Sequence, residues 1–235
     1  MILVISNIAN DAAPALVDMF PPGAAFLITA STFHQTVKAA VSVNNFSRSL
    51  FTVNNKNITA DDIKGIITTV PCFLPQEFYY IEPADRGYIC AEMNAFFIYF
   101  LSQLDCKKLN PSSRSTLTGL SMHKIELIKI LSALKIPLWK VHFKNGVYIE
   151  QENGVSYKFF KATIVGNTII PHTLPEKIIQ YMKAISDHFI LPYIRAHFIS
   201  PDEKGFFLLD MLTVPDLRDD EIKHAVTGYF KPDLL

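Results

Sequence analysis

Gly119-Leu120-Ser121-Met122-His123 begins as a nucleophile elbow begins, with a serine two residues after a glycine. A serine held on such a sharp strand-to-helix turn attacks carbonyl carbon. Here the closing glycine is replaced by His123 and no clear strand leads in, so Ser121 reads as the cap of the helix that follows. The seven histidines could offer imidazole to a metal, but none stands in H-x-H or H-E-x-x-H spacing, and His172, His188 and His197 read as structural residues. Cys72, Cys90 and Cys106 are odd in number and widely spaced, which suggests three reduced, buried thiols with neither a disulfide framework nor a thiolate metal site. Asp216, Asp219, Asp220 and Glu221 follow Pro215 and suit a helix amino end, where carboxylates meet the positive pole. No G-x-G-x-x-G or G-x-x-x-x-G-K-[ST] occurs, and the Asn7 to Asp11 loop has no glycine to let amides close on phosphate. Neither a Rossmann dinucleotide site nor a P-loop is expected.

The elements that must carry these residues are legible as runs. Met1 to Ser6, Asp11 to Phe20 and Ala24 to Ala30 read as strand, helix, strand, and Ser49 to Val53 and Ile63 to Val70 as further strands. A parallel sheet with crossover helices is expected there. Tyr88 to Leu104, apolar on nearly every side, reads as a helix buried between layers, with Glu92 near its amino end. Ser121 should cap a helix with Ile125, Ile128, Leu131 and Leu134 inward, ended by Pro137. Val147 to Gln151, Tyr157 to Val165 and Thr168 to Ile170 read as three antiparallel strands joined at Asn153-Gly154 and Gly166-Asn167. A helix from Leu174 to Phe189, with Ile178, Met182, Ile185 and Phe189 inward, precedes a last strand pair, Tyr193 to Ile199 and Gly205 to Leu212. The fold class is α/β: a parallel-sheet domain over 1–120, then an α+β antiparallel-sheet domain over 121–235.

Composition narrows the partners. The 235 residues carry 22 basic and 22 acidic side chains, net charge zero, so no electrostatic case exists for nucleic acid or an anionic membrane. Only 19% are charged against about 25% in an average soluble domain. Hydrophobic residues make up 49%, with 18 phenylalanines, which argues for a large core and fits a homodimer. The start MILVISN lacks the parts of a signal peptide, and a cytoplasmic location is expected.

An ordered set of segments then carries a family likeness: Ile63-Lys64-Gly65-Ile66-Ile67, the Glu92 helix, Leu109-Asn110-Pro111, His123-Lys124 opening the helix that ends at Leu134-Lys135-Ile136-Pro137, YKFFKATIVGN over 157–167 and GFFLLDMLTVP over 205–215. Their order resembles ATP-grasp ligases of the glutathione-synthetase-like and ribosomal-peptide-maturase branches. The resemblance implies a pre-ATP-grasp-like domain and an ATP-grasp-like domain whose two antiparallel sheets clamp ATP. Magnesium is then held by carboxylates and an asparagine, an acyl phosphate forms, and an amine attacks it. Carried over residue by residue, it places Lys124 and Lys161 as nucleotide-binding residues and Asp210 as nucleotide- and magnesium-binding.

The chain departs from that pattern where the chemistry sits. Only Leu138 to Gly146 stand where the family inserts the subdomain of its phosphate loop, so the ATP-grasp domain reads as truncated. The family's E-V-N falls at Asp210-Met211-Leu212, an earlier acidic position at His197, and Lys161 replaces an arginine. An aliphatic Leu212 cannot ligate magnesium, which prefers hard oxygen donors. Without the resemblance, Asp210 is a strand-end carboxylate and Lys161 a solvated charge. The expectation is a degenerate, non-catalytic protein without cofactor, a partner subunit for a peptide or protein in peptide modification. The alternatives are an ATP- and magnesium-dependent carboxylate-amine ligase with a reduced clamp completed by a second chain, and a small-molecule-binding α/β domain.

Overall fold

The structure, a computed structural model, describes residues 1–42, 46, 49–53, 56–139, 142–143, 147–148, 157–201 and 205–231. The chain forms two compact units, one of residues 1–121 with 214–235 and one of residues 122–213.

In the first unit the β-branched runs become strands because both faces are covered. Strands β1 (Ile2–Ile5), β2 (Ala25–Ile28), β3 (Val37–Ala40), β4 (Leu50–Val53), β5 (Lys56–Thr59), β6 (Gly65–Thr68) and β7 (Lys107–Lys108) form two sheets. One is parallel, in the order β2-β1-β6-β7; the other is the antiparallel β3-β4-β5 ribbon, of which the sequence suggested only β4. Every residue of β1 is at most 2% exposed, as a central parallel strand requires. Helices α1 (Ala12–Asp18) and α2 (Ala30–Thr36) follow β1 and β2.

Gly65 is a packing requirement. A Cβ there would lie 2.6 Å from both Ile2 Cδ1 and the ring of fully buried Phe230. Phe230 ends the last helix, Asp220–Phe230, which clusters with the first unit although it closes the chain. Its amino end explains the acidic run: Asp219 accepts from the Glu221 and Ile222 amides at 3.1 and 3.4 Å.

Helix α3 (Arg86–Gln103) differs from expectation. Cys90, Phe97, Phe100 and Leu101 are buried, but Tyr88 is 68% and Tyr99 41% exposed, so one face is open where burial between layers was expected. Ala91, Glu92 and Ala95 lie on that exposed side. The helix starts six residues before Glu92, too far for the carboxylate to act on its amino pole. Asn94 ties α3 to the chain leaving β6, accepting from Phe73 N at 2.8 Å and donating to Phe73 O at 3.1 Å. Of the thiols, Cys90 is buried while Cys72 and Cys106 are half-buried, and all are free. Burial pushes Cys90 up and Cys106 up to about 11, so both stay protonated near neutral pH.

In the second unit, α4 (Lys124–Ala133) begins at His123, which makes no side-chain cap. Ser121 bonds the Ser115 hydroxyl instead of capping. Ile125 is 70% and Ile128 40% exposed, and only Leu131 of the expected stripe is buried. The helix ends at Ala133, before Pro137, and Lys135 beyond it takes φ 57°. Strands β8 (His142–Phe143) and β9 (Val147–Tyr148) pair with each other. Thus Val147 does not join the β10 hairpin as expected; the rest of that stretch, with Asn153-Gly154, lies outside the described residues. Strands β10 (Lys158–Val165), β11 (Thr168–Ile170), β12 (Tyr193–Ser200) and β13 (Phe207–Leu212) form an antiparallel sheet in the order β11-β10-β12-β13. Gly166, at φ 57°, makes the β10–β11 turn. Helix α5 (Glu176–Phe189) covers one face through Ile178, Met182 and Ile185, all fully buried, and Tyr181 stacks on Phe198 of β12.

Candidate functional site

The face of this sheet opposite α5 carries the residues singled out by sequence. Register sets Lys161 of β10 against His197 of β12, and His197 against Asp210 of β13. Side chains in one cross-strand row share a face, so the three form a line across three strands. With strands about 4.8 Å apart, Lys161 and Asp210 stand about 10 Å apart with His197 between them. A register shift after His197 lets β13 match His197 to Asp210 and Phe198 to Leu208, skipping Leu209.

His197 Nδ1 and Asp210 Oδ1 are 2.5 Å apart, with side chains 33% and 53% exposed. Carboxylate acceptance fixes the proton on Nδ1 whenever the ring is neutral. The next row places buried Arg195 opposite exposed Leu212. This face therefore carries Lys161, Arg195, His197 and Asp210.

Lys124 reaches the same place from α4. It lines, with Asp210, a cleft of about 440 Å³ whose walls are Leu127 and Leu131 of α4, Leu138, Trp139 and Met211. Leu138 runs alongside β13: Leu208 N donates to Pro137 O at 2.8 Å, and Trp139 N to Leu208 O at 3.0 Å. The Trp139 ring meets Tyr157 and Phe207 edge-on, and its Nε1–H is buried with no hydrogen-bond partner among the described residues. Lys161 does not line this cleft; His197 stands between it and Asp210 in the cross-strand row. Sequence reasoning missed Trp139 and Arg195. Arg195 had a signal, standing two residues before His197 on one strand face, while Trp139 had none beyond being the sole tryptophan.

No family model matches the chain, and no curated protein matches it. Solved structures do. The fold is the ATP-grasp fold, a parallel-sheet unit followed by an antiparallel-sheet unit. Among the structures that share it is the macrocyclase MdnC bound with precursor peptide MdnA from Microcystis aeruginosa, at 13% identity and TM-score 0.71 over 97% of this chain and 98% of that one. A Chryseobacterium gregarium RiPP-associated ATP-grasp ligase in complex with ADP and a leader and core peptide matches at 11% and 0.68, over 97% and 95%. The ATP-grasp ligase PsnB complexed with minimal precursor, Mg and ADP matches at 9% and 0.67, over 98% of each chain. No described helix is long and apolar enough to cross a membrane.

Proposed function

We propose that this chain is an ATP-grasp-like partner subunit of peptide modification that binds peptide and does not run magnesium-dependent ligase chemistry. The 2.5 Å contact between His197 Nδ1 and Asp210 Oδ1 carries the reading. Magnesium takes an octahedron of oxygens at about 2.0–2.1 Å and gives up its waters reluctantly. At this place one expected acid is an imidazole that already holds the surviving carboxylate, and the expected asparagine is Leu212. These residues do not fit magnesium.

A peptide partner is supported by the cleft and by the fold. A space of about 440 Å³, apolar with a few polar groups, lies in the range of small-ligand sites and suits an apolar peptide side chain. In this reading the protein works in the cytoplasm, as a homodimer or beside a catalytic partner, without nucleic acid or membrane.

Thermal melting with ATP, ADP and a non-hydrolysable analogue, with and without magnesium, and separately with blocked peptides bearing Leu or Phe, tests it. Peptide should raise the melting temperature, and nucleotide should give no magnesium-dependent rise. A magnesium-dependent rise would sink the reading. One observation favours a ligase instead: Lys124 and Asp210 line one cleft, as a nucleotide phosphate site would need. In that reading Lys124, Lys161 and Asp210 bind nucleotide and Asp210 the metal. It requires ADP release in the presence of a carboxylate and an amine, abolished by Asp210→Ala.

A further inference from the structure

The second unit carries another cleft, beside the edge of its sheet, that the peptide reading does not use. Among the described residues, strand β11 stands at the end of the sheet order and pairs with β10 alone. Phe160 of β10 lies opposite Phe198, the residue on which Tyr181 of α5 stacks, so Phe160, Ala162 and Ile164 face α5. Ile169 is the register partner of Ile164 and faces α5 with it. A cleft of about 340 Å³ opens there, with Ile169, Pro171 and Ile179 of α5 as its apolar lining. Its polar lining is Asn167, Thr168, His172 and Lys183, all four exposed. Small-ligand sites have volumes of about 300–1,000 Å³, and this cleft falls within that range.

The charge in this cleft has one sign. No carboxylate lines it, and among the described residues neither Lys183 nor His172 has an ion-pair partner. Ile179 and Lys183, four residues apart, share one face of α5, which sets an ammonium group one turn from an aliphatic side chain. The backbone adds a donor. Gly166 and Asn167 make a two-residue turn, so Val165 and Thr168 are the hydrogen-bonded pair of the hairpin, and Ile164 and Ile169 the next, non-bonded pair. The Ile169 N–H and C=O therefore point out of the sheet edge, at the residue whose side chain lines the cleft.

We infer that the cleft between β11 and α5 binds a carboxylate with a short aliphatic body. Lys183 is the opposing charge, and the Asn167 amide, Thr168 hydroxyl and His172 ring are the other side-chain donors of the lining. Hydrogen bonds to an ionised partner are about twice as strong as neutral ones, so Lys183 carries the largest share. Ile169 and Ile179 cover the aliphatic part. A bare phosphate fits less well, because it needs donors around all its oxygens and three of the seven lining residues are apolar. The carboxylate can be the terminus of a peptide, whose preceding carbonyl takes the Ile169 N–H, or that of a free short-chain acid. The chemistry of recognition is shared.

The test is a titration of the full chain, followed by amide proton and nitrogen chemical shifts, with 3-methylbutyrate, with N-acetyl-valine, with N-acetyl-valinamide, which lacks the carboxylate, and with inorganic phosphate. Both carboxylates should shift the Asn167, Thr168, Ile169 and Lys183 amides saturably, and the amide and phosphate should bind at least tenfold more weakly. Tighter binding of N-acetyl-valine than of 3-methylbutyrate identifies a peptide terminus, and equal or weaker binding a free acid; either supports the site. Lys183→Gln should weaken carboxylate binding at least tenfold and His172→Gln several-fold. Both side chains are exposed, so the variants keep the fold. Lys177→Gln, on the same helix but outside the cleft, should leave the affinity unchanged. No saturable shift with either carboxylate overturns the inference. So does equal binding of the amide or of phosphate, an unchanged affinity in Lys183→Gln, or an equal loss in Lys177→Gln.

Discussion

Asp210 and Glu77 are carboxylates in opposite circumstances. Asp210 has a 53% exposed side chain and its Oδ1 is taken by His197 at 2.5 Å. Glu77 is 7% exposed and one of its oxygens has no partner. The family resemblance points to Asp210, yet the register of the antiparallel sheet has already assigned that carboxylate a neighbour. Glu77 has no motif, and the parallel sheet leaves it a vacant valence. Burial and pairing therefore say more about what each acid can still bind than sequence position does.

The largest expected effect comes from removing the packing that supports Glu77's side of this contrast. Phe230 is fully buried against Gly65 and Ile2, so Phe230→Ala should cost about 3–5 kcal/mol in urea unfolding. A loss below 1 kcal/mol would mean that the last helix does not hold the β1–β6 pair.

Glu77→Gln sharpens the contrast more finely. A carboxyl whose pKa is raised on folding favours the native state below its ordinary value of 4.5, and that contribution is lost as pH rises through the folded value. Removing the charge should raise the melting temperature at pH 7, with the gain shrinking toward zero as pH falls to 4. A gain independent of pH would contradict a charge penalty.

Asp210→Asn should change least. Partly exposed ion pairs contribute about 0–1 kcal/mol, so a double-mutant cycle with His197→Ala should give a coupling within that span. A coupling several times larger would show that the pair is effectively desolvated.

Much of the framework was legible where a local pattern and the tertiary environment agree. The β-branched runs of β1, β2 and β6, the Gly166-Asn167 turn and the apolar stripe of α5 each form as their residues suggest. The pattern misled where long-range pairing decides. Val147 and Tyr148 look like part of the β10 hairpin but pair with His142 and Phe143. β3 and β5, in a stretch rich in Asn, Ser and Thr, become strands by pairing with β4. Nothing local in Asp220–Phe230 announces that it packs with a sheet formed by the start of the chain.

The candidate site divides the same way. Lys124, Lys161 and Asp210 could be named from ordered motifs, but that His197 holds Asp210 depends on the register shift in β12–β13, a property of paired strands. Glu77 stands in no motif, and only the fold buries its carboxylate.

In the proposed reading, the His197–Asp210 pair excludes magnesium chemistry. Calorimetric titration of ATP with and without magnesium, into the unaltered chain and into the His197→Glu/Leu212→Asn variant, tests it most directly. No magnesium-dependent heat is expected for the unaltered chain, and heat should appear in the variant, where hard oxygen ligands return. Magnesium-dependent binding of micromolar strength in the unaltered chain would contradict it.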